Sequence, residues 1–155
     1  MRHARWVVVL FAALLLGAAP VAAGEPMVPF KATAQLASET PSGCGPFGGT
    51  VSVYRGQATH LGLFELTETV CYTKFEYPVI DFTVASVYVA ANGDRLESNA
   101  SGAFNVMTGE KTGEGFKFTG GTGRFEHAAG GGSTRLLFDS EFNVTGLVQT
   151  GWVSY

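Results

Sequence analysis

The chain has 155 residues, the length of one domain, and carries 13 acidic residues against 10 Lys and Arg, for a formal net charge of −3. A mildly acidic chain with scattered charges has no electrostatic footprint for nucleic acid or for anionic lipid. These numbers therefore exclude the nucleic-acid-binding classes and leave a small globular domain.

The first 23 residues predict a signal peptide. Arg2 and Arg5 supply a basic start, residues 6–16 are an uninterrupted apolar run, and residues 17–23 are rich in small side chains and end in Val-Ala-Ala. The alternative is a membrane anchor, but the apolar run is shorter than the roughly 20 residues that a spanning helix needs. We therefore expect cleavage after Ala23.

Cleavage there would leave residues 24–155 as a single domain of 132 residues. It would remove Arg2 and Arg5 and no acid, so the net charge would fall from −3 to −5. The sequence thus predicts a secreted or periplasmic protein that has no association with the membrane once the signal is removed.

Beyond the signal, apolar and polar residues alternate, which predicts strands rather than helices. Phe30, Ala32, Ala34 and Leu36, for example, share one face. The pattern predicts eight strands, at 30–36, 50–55, 58–72, 79–90, 95–106, 112–119, 124–138 and 141–153. Eight strands with short connections fit an all-β fold, a closed antiparallel up-and-down barrel, which can hold one small ligand. A β-sandwich is the alternative.

Two turns punctuate the later strands. Asn92-Gly93 sits between alternating apolar runs and predicts a type I′ hairpin. Residues 120–123, Gly-Gly-Thr-Gly, predict a tight turn in which at least one of Gly121 and Gly123 has positive φ. No Lys-Ser/Thr pair and no helix follow this segment, so it is not a phosphate-binding loop.

Cys44 and Cys71 are the two cysteines of the chain. An even number of cysteines in an exported chain predicts a disulfide between them. A catalytic thiol and a metal site are the alternatives, but neither cysteine has a further ligand at metal-binding spacing. The sequence predicts no metal ion and no cofactor.

Candidate ligand-binding residues are chosen as side chains that could point into the barrel. Glu68 shares a strand face with Phe64, Leu66 and Val70, so it is either an inward carboxyl with a raised pKa or a residue of a solvated face. Apolar cavities with a few polar groups are typical ligand sites. The predicted set is Phe64, Glu68, Phe82, Tyr88, Phe104 and Trp152. His60 has no partner carboxylate at a readable spacing, which favours a structural hydrogen bond over acid–base chemistry.

Three segments occur in a familiar order: residues 57–64 (QATHLGLF), 90–96 (AANGDRL) and 119–130 (TGGTGRFEHAAG). Together they resemble the small exported bacterial proteins of the allene oxide cyclase-like barrel group, relatives of plant allene oxide cyclases and dirigent proteins. The resemblance implies an eight-stranded antiparallel barrel, often oligomeric, with a ligand cavity inside. It assigns no catalytic residue to a position of this chain.

Three functions remain open at this point. The first is a secreted barrel that binds a small apolar or aromatic molecule, the second a cyclase- or isomerase-like enzyme that acts by confinement of its substrate, and the third a structural envelope protein. An enclosed cavity with an inward carboxylate or tyrosine favours the second, a dry, filled interior the third, and an apolar cavity without ionisable groups the first. Whether the chain is an enzyme, and whether it forms a homo-oligomer, stay undecided by sequence.

Overall fold

The computed structural model describes residues 26–108, 110–113 and 115–155. The predicted signal peptide lies outside the described residues. Nine strands and one short 3-10 helix follow in chain order. They are β1 (Val28–Ser42), β2 (Gly49–Ala58), β3 (Gly62–Glu76), β4 (Val79–Ala90), β5 (Arg95–Asn105), β6 (Lys111–Thr112), β7 (Phe116–Gly121), η1 (Gly123–Phe125), β8 (Ala129–Phe138) and β9 (Val144–Ser154).

The sheet closes into an antiparallel barrel, which confirms the predicted fold class. Its strand order is β4-β3-β2-β1-β9-β8-β7-β5, and β5 pairs back with β4. The two-residue strand β6 pairs with β5 outside this eight-strand ring. Closure pairs β4 with β5, the two strands that would be the exposed edges of an open sheet. The eight strands of the ring enclose one hydrophobic core.

A hairpin and a tight turn lie where the sequence predicted them, but the hairpin is not the predicted type I′ turn, which needs positive φ at both central residues, because Asn92 does not have it. Gly93 has φ +87° in the hairpin between β4 and β5, and Gly123 has φ +59° after β7. The chain then forms the helical turn η1, where the sequence predicted an uninterrupted strand from residue 124. Phe125, on that turn, is fully buried and closes the adjoining end of the barrel.

An aromatic cluster fills this end of the barrel, which we call the plugged end. The rings of Phe30, Tyr88, Phe116 and Phe118 meet edge to face, with centroids 5.1 to 6.3 Å apart. Such contacts add to the free energy gained by burying the rings. The plugged end is therefore a packed core with no room for a ligand between these rings.

The opposite end, which we call the loop end, carries the connections β1–β2, β3–β4, β5–β6 and β8–β9. Pairing is sparse on one side of it. β7 pairs with β8 at two positions, Phe116 with Gly132 and Lys117 with Gly131. From Ser133 onward, β8 is paired with β9, and among the described residues it has no partner strand on its other side.

Candidate functional site in the barrel interior

A row of polar side chains crosses the interior below the aromatic cluster. Glu39 of β1 stands opposite Ser52 of β2, Ser52 opposite Glu68 of β3, Glu68 opposite Ser86 of β4, and Ser86 opposite Ser98 of β5. We call these five residues the polar row. Alternation places Ser52, Glu68, Ser86 and Ser98 on the inner face, where all four are buried, whereas Glu39 is exposed at the end of the row. The row therefore marks the boundary of the apolar core.

Glu68 is the buried carboxyl of the row, with 8% of its surface exposed. Ser86 Oγ donates a long hydrogen bond of 3.5 Å to Glu68 Oε1. Burial raises the pKa of Glu68, while the positive charge of Lys111 and the Ser86 hydroxyl oppose the rise. The interior thus holds a carboxyl group that keeps its proton to a higher pH than an exposed glutamate.

Tyr54 and Ser52 line the same side of the interior. Ser52 Oγ donates a hydrogen bond of 2.9 Å to Glu39 Oε2. Burial raises the pKa of Tyr54 to about 12, and the nearby charges of Glu68 and Glu39 act in the same direction. The phenol is therefore neutral at physiological pH and can donate or accept a hydrogen bond.

A second polar group crosses the barrel beside the row. The Tyr88 hydroxyl donates to Gln149 Oε1 at 3.0 Å, and Gln149 Nε2 donates to Thr134 Oγ1 at 3.2 Å. Burial raises the pKa of Tyr88 far above its usual range. Gln149 is almost completely buried, so both ends of its amide need these partners.

Ser98 is the exception within this network. It is 4% exposed, and the Tyr88 hydroxyl is its near polar neighbour, close enough for Ser98 to act on the pKa of Tyr88 but outside ordinary hydrogen-bond geometry among the described residues. Buried hydroxyl groups are seldom left unpaired, because an unmade hydrogen bond costs about 1–3 kcal/mol. Ser98 is therefore the point of the interior at which a bound molecule or a water would complete a hydrogen bond.

A cavity of about 240 Å³ lies where the pairing of β7 with β8 stops. It is lined by apolar rings, small residues and a few polar groups: Phe82, Ala100, Lys111, Phe116, Ser133 and Thr134 are among them. Ala100 follows Ser98 on the inner face of β5, and Thr134 holds Gln149. The cavity thus adjoins both polar groups of the interior.

Lys111 is the cation of this region. Its side chain starts from the exposed strand β6, and Nζ lies 5.4 Å from the centre of the Phe82 ring. Partial burial of the ammonium lowers the pKa of Lys111, and the negative charge of Glu68 opposes this. The ammonium therefore sits at the cavity wall, over an aromatic face, rather than in bulk water.

The structure brings four of the six predicted ligand-binding residues into the interior: Phe64, Glu68, Phe82 and Tyr88 are all buried. Phe104 is half-buried near the loop end of β5, opposite Lys111. Trp152 is 54% exposed on the outer face of β9, so it does not line the interior. The alternation read from the sequence placed Trp152 with Val144, but a bulge near Thr145 reverses the faces between them.

The other singled-out residues are structural. Cys44 and Cys71 form the predicted disulfide, with Cα atoms 5.3 Å apart. His60 accepts or donates at both ring nitrogens, to the Pro29 carbonyl at 3.0 Å and to the Tyr155 hydroxyl at 2.8 Å. These contacts fix the start of β1 and Tyr155 to the β2–β3 turn.

Sequence reasoning missed Ser52, Ser86, Ser98 and Gln149. Serine and glutamine at alternate strand positions look like residues of a solvated face. The shared register of the three serines with Glu68 could have been found only from the pairing of β2, β3, β4 and β5, and the place of Gln149 only from the closure of the barrel.

The described residues contain no cluster of His, Cys, Asp and Glu that could hold a metal ion. Within the same part of the chain, no helix is long and apolar enough to cross a membrane. The sequence matches no protein-family model, and no curated protein shows significant similarity to it.

Proposed function

We propose that this protein is a small-molecule-binding barrel that takes a compact apolar or aromatic ligand into the cavity beside the polar row. The observation that carries the proposal is the cavity itself, which has the rings of Phe82 and Phe116 in its wall and includes Ala100, two residues from the buried Ser98 on the inner face of β5. A cavity of about 150 Å³ is already enough for benzene, so 240 Å³ suits a molecule of one or two rings.

The residues around the cavity indicate how such a ligand would be held. Phe82, Phe116 and Ala100 form the apolar part of the wall, against which its apolar body would pack. Ser133, Thr134 and the Lys111 ammonium, which also line the cavity, offer hydrogen bonds to its polar substituents. Apolar rings together with groups that can bind one polar end are typical of ligand pockets.

The test is native mass spectrometry of the protein purified from its source, followed by titration of the emptied protein with indole and naphthalene. We expect a retained small molecule and saturable binding of at least one probe. Ala100→Leu would fill part of the cavity and should weaken probe binding at least tenfold. Ala37→Leu is the matched control, because Ala37 is exposed at a bulge of β1 away from the cavity. Equal binding by both variants, or none by the parent, would refute the proposal.

A cyclase- or isomerase-like enzyme is the second candidate, and the buried carboxyl of Glu68 favours it. A carboxyl that keeps its proton can act as a general acid inside a water-poor cavity. In that case Glu68→Gln would retain ligand binding and abolish turnover of the retained molecule, whereas a pure binding protein would show no turnover in either form.

The proposal extends to family and compartment. The closed eight-stranded barrel supports membership of the allene oxide cyclase-like or dirigent-like group, and the disulfide supports an oxidising location, secreted or periplasmic. Analysis of the N-terminus of the protein released by its source would test the predicted cleavage after Ala23.

A further inference from the structure

The loop end carries most of the exposed large apolar side chains. Of the eleven among the described residues, seven lie on or beside its four connections. They are Phe47, Phe75, Tyr77, Val106, Met107, Phe138 and Phe142, which we call the apolar crown. Isolated exposed apolar residues are ordinary, but a concentration at one end of a small barrel marks an interaction surface.

Phe142 is the most exposed of the crown, at 85%. Its backbone has φ +65°, in the left-handed region that costs a residue with a Cβ about 1–2 kcal/mol. The Asp139 carboxylate fixes this turn by accepting hydrogen bonds from the amides of Glu141 and Asn143, at 2.8 and 2.9 Å. A rigid turn therefore holds a phenyl ring in water at the expense of backbone strain, which is a sign of function rather than of packing.

Two neighbouring connections hold a second exposed pair in place. The Tyr77 hydroxyl contacts Met107 Sδ at 2.9 Å, and the Val106 amide donates to the Pro78 carbonyl at 2.9 Å. Tyr77 and Met107 are nevertheless 69% and 67% exposed. The crown is thus presented by loops that are bonded to each other and to the barrel.

The charges at this end decide between kinds of partner. The connection that bears Phe47 has no charged residue, and the other three, with their flanks, carry Lys74 and Lys111 against Glu76, Asp81, Glu110, Asp139 and Glu141. Lys74 is paired with Glu76 at 3.0 Å. The loop end therefore has no surplus of positive charge that would attract anionic lipid. Lipid headgroups without net charge would not repel this surface.

The crown consists of separate loop tips, and these surround the open side of the barrel. The β5–β6 connection with Met107 and the β8–β9 connection with Phe142 flank the stretch where β8 lacks a partner and the cavity opens. A lipid surface can receive separate side chains without a matching shape, and aromatic residues and methionine partition well into its interface.

We propose that the apolar crown docks the loop end on an electrically neutral lipid surface. This goes beyond the proposed function, since it stands on the loops and holds whether or not the interior binds a ligand. Docking would bring the unpaired stretch of β8, which contributes Ser133 and Thr134 to the cavity wall, towards the phase in which apolar molecules dissolve.

The experiment is co-sedimentation of residues 24–155 with phosphatidylcholine vesicles. These residues contain the whole described barrel and lack the apolar run of residues 6–16. The parent should bind, with little change between about 0.05 and 0.5 M salt and no gain from added phosphatidylglycerol. Phe142→Ser should lower the partition coefficient at least about tenfold, because it removes the most exposed ring of the crown and with it the apolar area that the lipid would cover.

Leu63→Ser is the matched control, because Leu63 is 69% exposed but lies next to the β2–β3 turn at the plugged end. It should leave the partition coefficient within twofold of the parent. Absence of binding by the parent, or equal losses in both variants, would overturn the proposal. A concentration-dependent dimer that Phe142→Ser abolishes, without vesicle binding, would assign the crown to a second copy instead. Probe titration into the cavity is unaffected by any of these results, so the two proposals fail separately.

Discussion

Tyr88 and Gln149 are joined by a hydrogen bond that spans the diameter of the barrel. They are 61 residues apart, and their strands, β4 and β9, are four positions apart in either direction around the eight-strand ring. The bond of 3.0 Å therefore ties opposite walls together just below the aromatic cluster. This bond links the barrel across its interior, whereas the pairing of β4 with β5 closes the sheet around the wall.

Removing this bond should be costly. Tyr88→Phe leaves Gln149 Oε1 buried without a donor, so we expect the free energy of unfolding to fall by about 1–3 kcal/mol in urea titration. Tyr77→Phe is the control, because Tyr77 is exposed, and it should change stability by less than about 0.5 kcal/mol. Similar midpoints for the two variants would contradict a structural role for the transverse bond.

The buried carboxyl of Glu68 should make stability depend on pH. Its folded pKa is raised above the ordinary value of 4.5, so the folded state binds the proton more tightly than the unfolded state. Stability should therefore fall as pH rises above about 4.5. Glu68→Gln should unfold at a higher urea concentration than the parent at pH 7, with a smaller advantage at pH 4. Glu65→Gln, on the outer face of β3, should not reproduce this pattern. A pH-independent difference would show that the Glu68 carboxyl is solvated.

The glycine turn should be sensitive at Gly121. A Cβ there would overlap the carbonyl oxygen of Arg95 on β5, so the backbone of one strand must move. Gly121→Ala should cost about 2 kcal/mol or more. Thr122→Val loses one hydrogen bond, from the Arg95 amide to Thr122 Oγ1 at 3.0 Å, and should cost about 1 kcal/mol. Urea unfolding of both variants ranks them, and an equal or reversed order would mean that the turn is a flexible loop.

The disulfide should contribute strongly to stability. It closes a loop across a sequence separation of 27, for which chain entropy gives about 3–4 kcal/mol. We expect Cys44→Ser combined with Cys71→Ser to lower the unfolding free energy by that amount. The parent should have an intact mass about 2 Da below that of the dithiol form. Two alkylatable thiols in the native protein would contradict the bond.

The backbone strain at Phe142 can be measured by comparing the stability of two variants that both lack the ring. Glycine is normally less stabilising than alanine, but at φ +65° it has no Cβ to strain the turn. Phe142→Gly should therefore be more stable than Phe142→Ala by about 1 kcal/mol in thermal or urea unfolding. If the alanine variant is equally stable, the turn relaxes and stores no strain.

The sequence predicted the barrel because its strands alternate regularly and its hairpins carry strong turn signals. Asn92-Gly93 is found as a hairpin, and Phe64, Glu68, Phe82 and Tyr88 are found inside. These predictions depend only on short-range patterns, which a single sequence displays.

The errors arose where a strand loses its alternation. The bulge near Thr145 turns Trp152 outward, and a single extra residue in a strand leaves no clear mark on composition. The polar row escaped notice for a different reason, since Ser52, Ser86 and Ser98 become neighbours of Glu68 only through the register of separate strands. Likewise, nothing short-range reveals that four connections gather the crown at one end.

The missing partner of β8 beyond Gly132 gives the barrel a weak side. In the described residues, the amides of Ser133–Phe138 that point away from β9 have no ladder bond to break before they exchange with solvent. Hydrogen exchange there requires no global unfolding, whereas the amides between β1, β2 and β9 are held by long, regular ladders. The barrel wall can therefore open locally along this unpaired stretch of β8, on a timescale independent of folding. The entry of a molecule into the cavity and its exit would then depend on the free energy of this local opening. Mutation can change that free energy while the rest of the fold stays as stable as before.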